Sequence, residues 1–435
     1  MRTTINSRIL FNLLAILAMF GTFLTPVRPA SAQSAATAHP DFWSYLRSHP
    51  VNLAATNKLS AAAMSFEVIA SGLNNPRGLS FGMDGALYVT EAGLGGSDPC
   101  ITGGEGTICY GPTGSITRVM NGEQVRFVTG LPSLADPASG GFAAVGPTDV
   151  SPRLGGLDVV VGLGADPAAR ADLGSAGNGF GRTVRVLNSG IWAFNADVSA
   201  HESAANPDGG AVDSNPYSLT LVQNGLRAVA DAGGNDLVAV FVNGRTETLA
   251  VFPDRMVDAP PFLGLPPGAK MPMQAVPNTV TKGPDGALYI GQLTGFPFPV
   301  GGANVYRLAP GSSDPEVFAS GFTNIIDIAF DQDGNLYVLE ITANGLLSDD
   351  LTGALIKVAP DGAQEVLAMD GLVAPSGLTI GADGAIYISN FGIFPGAGEV
   401  IRLDDAAPSG PLPMLPDSPD ALDALTRTLL PLVRQ

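Results

Sequence analysis

Histidine is almost missing from this chain, with three in 435 residues. His39 and His49 lie ahead of the repeated region, so only His201 falls within it. A histidine-rich zinc centre is thereby excluded, and a serine–histidine–aspartate arrangement would have to rest on His201, which otherwise reads as a loop residue. Basic side chains are scarce as well. There are 22 Lys and Arg against 40 Asp and Glu, a formal charge of −18. With no basic stripe, neither nucleic acid nor an anionic membrane surface is expected as a partner. The chain also lacks a P-loop and a dinucleotide-binding glycine fingerprint.

Cysteine is limited to Cys100 and Cys109. The even count favours a disulfide made in an oxidising compartment, closing the run CITGGEGTIC. Two free thiols and a two-cysteine metal site are the alternatives. One long apolar run agrees with export. Ile9–Leu24 follows Arg2 and Arg8 and precedes Ala30-Ser31-Ala32, the three-part pattern of a signal peptide spanning residues 1–32. An uncleaved anchor is the alternative, although the run is short for a span, which needs about 20 residues. Cleavage would remove three arginines and no acid, leaving 19 basic against 40 acidic groups. The protein is therefore expected to be secreted or periplasmic, with no stable membrane span after cleavage.

Glycine and proline are abundant, at 55 and 35 residues, which without a three-residue period means many turns and short strands. A repeat organises them: GPDGALYI (Gly283–Ile290), MDGALYV (Met83–Val89), QDGNLYV (Gln332–Val338) and ADGAIYI (Ala382–Ile388). Asp-Gly between alternating apolar runs is a strong hairpin signal. Pro76, Pro277 and Pro375 each precede the repeat tyrosine by 12 residues, and Ile325 stands at the same offset from Tyr337. The same spacing joins Pro147 to Val159 and Pro216 to Ala228, giving six units. Each unit supplies strands a to d, and the fold expected is all-β: a six-bladed β-propeller of four-stranded antiparallel blades.

The sixth unit lacks strand d after Val400–Leu403, whereas FEVIASGL (Phe66–Leu73) resembles EVFASGF (Glu316–Phe322). The N-terminal strand is therefore expected to complete the last blade, hiding two edges. The propeller is bounded at 66–405. A lead-in precedes it at 33–65, with one short helix near Phe42–Leu46. A Pro-rich linker and a short helix follow at 406–435.

In a propeller, the starts of strands a and the ends of strands b open on one face around the channel. Three residues past each strand-b aromatic, or its substitute, come Glu91, Gly162, Asp231, Gln292, Glu340 and Asn390. Glu91, Asp231, Glu340 and Asn390 form an oxygen-only donor set suited to Ca²⁺; a solvated polar channel is the alternative. Long b–c loops, among them Ala92–Gly114 and Leu163–Arg182, are expected to rise around this mouth. Phe296 and Phe298 on one of them suit a flat aromatic ligand or form an apolar plug. Arg77, Tyr217 and Asn278, beside the strand-a prolines, complete the candidate ligand-binding residues.

The longest segments, among them SGLNNPRGLSFGMDGALYVTEAG, GSDPCITGGEGTICYGPTGSITRV and GALYIGQLTGFPFPVGGANVYR, resemble the ScyD/ScyE family of exported bacterial proteins over nearly all of residues 66–403. That family is named from gene clusters for scytonemin, an indole-phenolic pigment. The resemblance implies a binding or accessory role toward such a metabolite, with a small aromatic molecule or a protein as partner. More distantly the blades are similar to NHL-type propellers and to the gluconolactonase/SMP-30 group, which holds a divalent metal over the channel. That likeness implies a metal-dependent lactonase or esterase as the alternative activity. Asn278 matches the group's post-proline Asn and Glu91 its Glu, while Asp149 or Asp327 would be the catalytic carboxylate. Arg77, Thr148, Tyr217, Ile326 and Ser376 depart from its pattern.

Overall fold

The computed structural model describes residues 66–103, 106–348 and 350–404. The expected signal peptide, the expected lead-in helix and the expected C-terminal helix lie outside these residues. The first strand, β1 (Glu67–Leu73), does not pair with its neighbour in sequence. Blade 1 instead comprises β2 (Pro76–Phe81), β3 (Leu87–Glu91), β5 (Gly106–Met120) and β6 (Glu123–Ala135), with the short β4 (Cys100–Gly103) folded back on β5. Blade 2 is β7 (Pro147–Arg153), β8 (Gly156–Val161), β9 (Arg182–Leu187) and β10 (Trp192–Asp197). After helix α1 (Val198–Ala205), blade 3 follows as β11 (Pro216–Gln223), β12 (Leu226–Asp231), β13 (Asp236–Phe241) and β14 (Thr246–Val251). A small hairpin, β15 (Arg255–Asp258) and β16 (Lys270–Met273), separates it from blade 4, which is β17 (Pro277–Lys282), β18 (Leu288–Gln292), β19 (Ala303–Leu308) and β20 (Glu316–Phe322). Blade 5 is β21 (Ile325–Phe330), β22 (Leu336–Glu340), β23 (Ala354–Val358) and β24 (Gln364–Ala368). Blade 6 is β25 (Gly377–Ile380), β26 (Ile386–Asn390) and β27 (Gly398–Leu403), and β1 is its fourth strand.

The six innermost strands touch in sequence order, β2–β7–β11–β17–β21–β25, and β25 returns to β2. The ring is closed as expected, with β1 antiparallel to β27 from Glu67 opposite Arg402 to Leu73 opposite Gly398.

The repeat motif builds this ring. In Asp84, Asp285 and Asp383 one carboxylate oxygen caps the Asp-Gly turn through the N–H of Ala86, Ala287 or Ala385. The other accepts the hydroxyl of Tyr88, Tyr289 or Tyr387 at 3.1–3.2 Å. The rings then meet the next blade: Tyr289 stacks edge-on against Phe330 of blade 5, and Tyr387 against Phe81 of blade 1. The motif is an inter-blade fastener and carries no site. Cys100 and Cys109 face each other across β4 and β5 and are joined as a disulfide. Among the described residues no helix is long and apolar enough to cross a membrane.

Candidate functional site

The residues that end the b strands have a different role from the one their spacing suggests. Glu91 does not present its carboxylate to the channel as a ligand, because donors already surround it. Oε1 accepts from Ser115 (3.0 Å), Thr117 (2.6 Å) and Arg126 Nε (3.0 Å), and Oε2 from Arg126 Nη2 (2.9 Å) and the Asn74 N–H (2.7 Å). Asp231 accepts the Asn215 N–H at 2.6 Å, Glu340 the Thr323 N–H at 2.6 Å and Asn390 the Val373 N–H at 2.8 Å. Each thus latches the link that leads into strand a onto the end of strand b in its own blade. The four residues expected to ring a Ca²⁺ ion, Glu91, Asp231, Glu340 and Asn390, therefore each already serve as acceptors within their own blades. Replacing Arg126 by Ala strips Glu91 of its cation partner and leaves a buried carboxylate. It should cost roughly 3 kcal/mol, read as an earlier midpoint in urea unfolding. An unchanged midpoint would contradict the latch.

The channel wall is set by a recurring irregularity. In blades 1 to 5 the a–b register slips immediately after the first residue of strand a, at Pro76, Pro147, Pro216, Pro277 and Ile325. Such bulges re-aim side chains. The residues just past the slip bond to neighbouring blades. The Asn278 amide donates to the Ile326 carbonyl (3.0 Å), Ser376 to that of Pro76 (2.7 Å) and Thr148 to that of Pro216 (3.3 Å). Arg77 is buried and staples three segments, donating to the carbonyls of Pro76, Ala144 and Gly392. Tyr217 packs against the apolar cluster holding Ile326 and Leu378, so its ring reaches across the axis from blade 3 toward blades 5 and 6.

One position deeper lie Asp149 and Asp327. Asp149 accepts from Ser218 Oγ (2.8 Å) and the N–H groups of Leu219 (2.9 Å) and Val150 (2.7 Å). Asp327 accepts from Thr279 Oγ1 (2.7 Å) and the N–H groups of Ile328 (2.8 Å) and Leu378 (2.7 Å). Burial pushes the Asp149 carboxyl up to about 7, helped by the charge of Asp327 and opposed by its donors. Burial likewise raises Asp327, to about 6. Burial also raises the Tyr217 phenol; the Arg77 charge opposes that rise, and Asp327 and Asp149 add to it. The structure therefore gathers Arg77, Tyr217, Asp149 and Asp327 around one axis, with Asn278 in the wall. It does not bring Glu91 to them.

A divalent ion over this channel, as the lactonase likeness implies, has poor support from the residues present. Glu91 is saturated, the Asn278 amide faces a backbone carbonyl, and every oxygen of Asp327 already has a donor. Among the described residues no three His, Cys, Asp or Glu side chains form a ready-made metal site. The donor set does not fit a channel ion.

On the mouth, Phe298 is buried and its ring meets Phe296 edge-on at 6.2 Å. His201 lies on α1 and pairs through Nε2 with Thr248 Oγ1 at 2.8 Å. Gly78-Leu79-Ser80-Phe81-Gly82 has the spacing of a nucleophile elbow, but Ser80 sits within extended β2, where that strained turn cannot form.

An opening large enough for a small molecule lies away from the channel, in the crevice between blades 2 and 3 on the side of the tight turns. This cavity of about 300 Å³ is walled by Arg153, Arg185 and Arg227, by Asp158, and by Leu219, Leu221, Val240 and Phe241. Asp158 faces Arg185 across the β8–β9 ladder. It lies 2.8 Å from Arg227, 3.5 Å from Arg153 and 3.9 Å from Arg185. One carboxylate thus serves three guanidinium groups, and the buried Nε atoms of Arg153 and Arg227 have no hydrogen-bond partner. Burial works against the ions, pushing the Asp158 carboxyl up and the Arg227 guanidinium down. Sequence reasoning missed this cluster. Its only signal was Asp158 interrupting the apolar run Leu157–Val161, in a chain poor in arginine partners.

No family profile and no curated protein matches the chain. Solved structures do resemble it. Regucalcin, a calcium-binding protein from Agrobacterium tumefaciens, is 11% identical over 78% of this chain and 94% of its own, with a TM-score of 0.46. A gluconolactonase from Xanthomonas campestris is 13% identical over 87% of this chain and 99% of its own, with a TM-score of 0.46. A glucose dehydrogenase is 14% identical over 78% of this chain and 99% of its own, with a TM-score of 0.47. At such identities the likeness concerns shape alone, and the propeller assignment rests on the six four-stranded units of the chain itself.

Proposed function

We propose that this protein is an extracytoplasmic binding propeller that takes up a small organic anion, carboxylate first, in the crevice between blades 2 and 3. The observation that carries the proposal is the imbalance in that crevice: three arginines around the single carboxylate of Asp158, with the buried Arg227 Nε lacking a hydrogen-bond partner and Arg153 Nε held only by a 3.5 Å ion pair, in a chain of net charge −18. An anion would complete these arginines through charge-assisted bonds, while Leu219, Leu221, Val240 and Phe241 accept an apolar body. The volume is at the low end for small-molecule sites, which run from about 300 Å³, so one aromatic ring with a short acidic arm is the size expected. The disulfide is consistent with an oxidising compartment. The ScyD/ScyE resemblance supports an accessory role toward an aromatic metabolite.

The test is calorimetric titration of the full chain with indole-3-acetate as probe. The parent should bind, and Arg153→Gln and Arg185→Gln should each weaken binding about tenfold or more, the usual effect of losing one charged hydrogen bond. Phe296→Ala at the mouth should leave the affinity unchanged. Binding that ignored both arginine substitutions would overturn the assignment. The alternative reading, hydrolysis in the channel, would use Asp149 and Asp327; turnover of a lactone or aryl ester that Asp327→Asn abolished would favour it.

A further inference from the structure

The insertion between blades 2 and 3 gathers carboxylates that no cation among the described residues neutralises. Helix α1 ends at Asn206, and the following Asp- and Gly-rich loop folds over the short turn joining β12 to β13. Glu202 projects from the helix, Asp208 and Asp213 come from the loop, and Asp231 and Asp236 flank the turn. The other charges acting on Glu202 are Asp231, Asp208 and Asp213, and those acting on Asp236 are Asp231, Glu202 and Asp208. All of them are carboxylates.

Burial makes this arrangement unusual. Glu202 is 2% exposed and Asp236 1%. Neither oxygen of Glu202 has a hydrogen bond of good geometry, the Asp213 N–H acting on that carboxylate only weakly, and Asp236 Oδ2, Asp213 Oδ1 and Asn206 Oδ1 are likewise unpartnered. Asp231, by contrast, is fixed beneath them by Ser214 (2.6 Å) and the N–H groups of Asn215, Gly233 and Gly234. Two of these carboxylates, Glu202 and Asp236, share a focus beside Asp231. A methyl group placed on Gly234 would lie 3.0 Å from Glu202 Oε2, 3.4 Å from Asp236 Oδ1 and 3.5 Å from Asp231 Cγ. Buried carboxylates without counter-charge or donors are strongly unfavourable, whereas a cation resolves both deficits together.

The geometry points to a Ca²⁺ site over Gly234, with Glu202 and Asp236 as its buried carboxylate ligands and further loop or water oxygens completing the shell. The donors are all hard oxygens from a loop and a helix end. They form an irregular set that suits the six to eight ligands of Ca²⁺ better than the strict octahedron of Mg²⁺. Among the described residues no three acidic, histidine or cysteine side chains form a ready-made shell, so the site rests on the Glu202 and Asp236 pair, with the remaining ligands from other oxygens. The site is separate from both the channel and the arginine crevice, and it stands whatever the organic ligand is.

The test is calcium alone, added to chelator-treated full-length protein and followed by calorimetry and thermal melting. One ion per chain and a rise in Tm of roughly 5 °C at saturating Ca²⁺ are expected. Glu202→Gln should raise the Tm of the calcium-free protein, because it removes like-charge repulsion, and should weaken Ca²⁺ binding at least tenfold. A merely structural Glu202 would not give those opposite signs. Gly234→Ala, which fills the cradle, should also lose the calcium shift. The absence of any Ca²⁺ response in the parent, an equal response to Mg²⁺, or an undiminished response in Glu202→Gln would each overturn the site. Calcium binding that survives Arg153→Gln distinguishes this outcome from a failure of the anion crevice.

Discussion

Deletion of residues 67–73 should abolish cooperative unfolding of the whole propeller. β1 is the fourth strand of blade 6 although it lies at the other end of the chain, and it hydrogen-bonds to β27 along its length. Its buried side chains, Ala70 and Leu73, join a cluster containing Leu79, Leu87 and Val89 of blade 1 and Tyr387 and Val400 of blade 6. The strand therefore clamps the first blade to the last. Its loss would open an edge on β27 and remove an apolar seam at the one place where the chain does not already connect neighbours. Truncating Leu73 alone to Ala should cost about 2–5 kcal/mol; losing the strand should consume most of the roughly 5–15 kcal/mol that stabilises a domain. Far-UV circular dichroism during heating reads this directly. A truncated protein that melted like the parent would show that the ring is held by something other than this closure.

The second large effect is on pH. Asp149 and Asp327 have folded-state values of about 7 and about 6, raised by burial, while an unfolded Asp sits near 3.9. The folded state therefore binds more protons than the unfolded state between about pH 4 and pH 7, and stability must fall as pH rises through that window. Burial raises Glu340 in the same sense, to about 7. A folded-state value one pH unit above the unfolded one is worth about 1.4 kcal/mol, so the channel pair contributes a slope on the order of several kcal/mol. The protein should melt at a higher temperature at pH 5 than at pH 8. Asp149→Asn with Asp327→Asn should shrink that difference, whatever the double variant's absolute stability. An unfolding midpoint that rose with pH in the parent would contradict the assignment.

The ring was legible in the sequence because a spacing of 12 residues recurs in all six blades and three of them share one local solution. In blades 1, 4 and 6 Asp-Gly fixes the turn and the tyrosine hydroxyl returns to that Asp, whereas in blade 5 Tyr337 turns to Asp331. Such short-range chemistry survives without any knowledge of tertiary contacts. Where side chains point was not legible in the same way. Counting three residues past each tyrosine found a real set of equivalent positions, Glu91, Asp231, Glu340 and Asn390. Their equivalence proved to be a shared latch to the strand-a link. The bulge after the first residue of strand a in blades 1 to 5, which decides what reaches the axis, leaves no mark in composition. The crevice arginines come from β7, β9 and β12, 74 positions apart from first to last, and only blade packing unites them. Glu202 and Asp236 are likewise ordinary acidic residues until the fold buries both without a partner.

The most direct test of the central claim is to locate a bound organic anion. A crystal of the full chain grown with indole-3-acetate should show the carboxylate between Arg153, Arg185 and Arg227, with the ring against Leu219 and Phe241. Density for the probe in the axial channel beside Tyr217 and Asp327, with the crevice between blades 2 and 3 left to water, would contradict it.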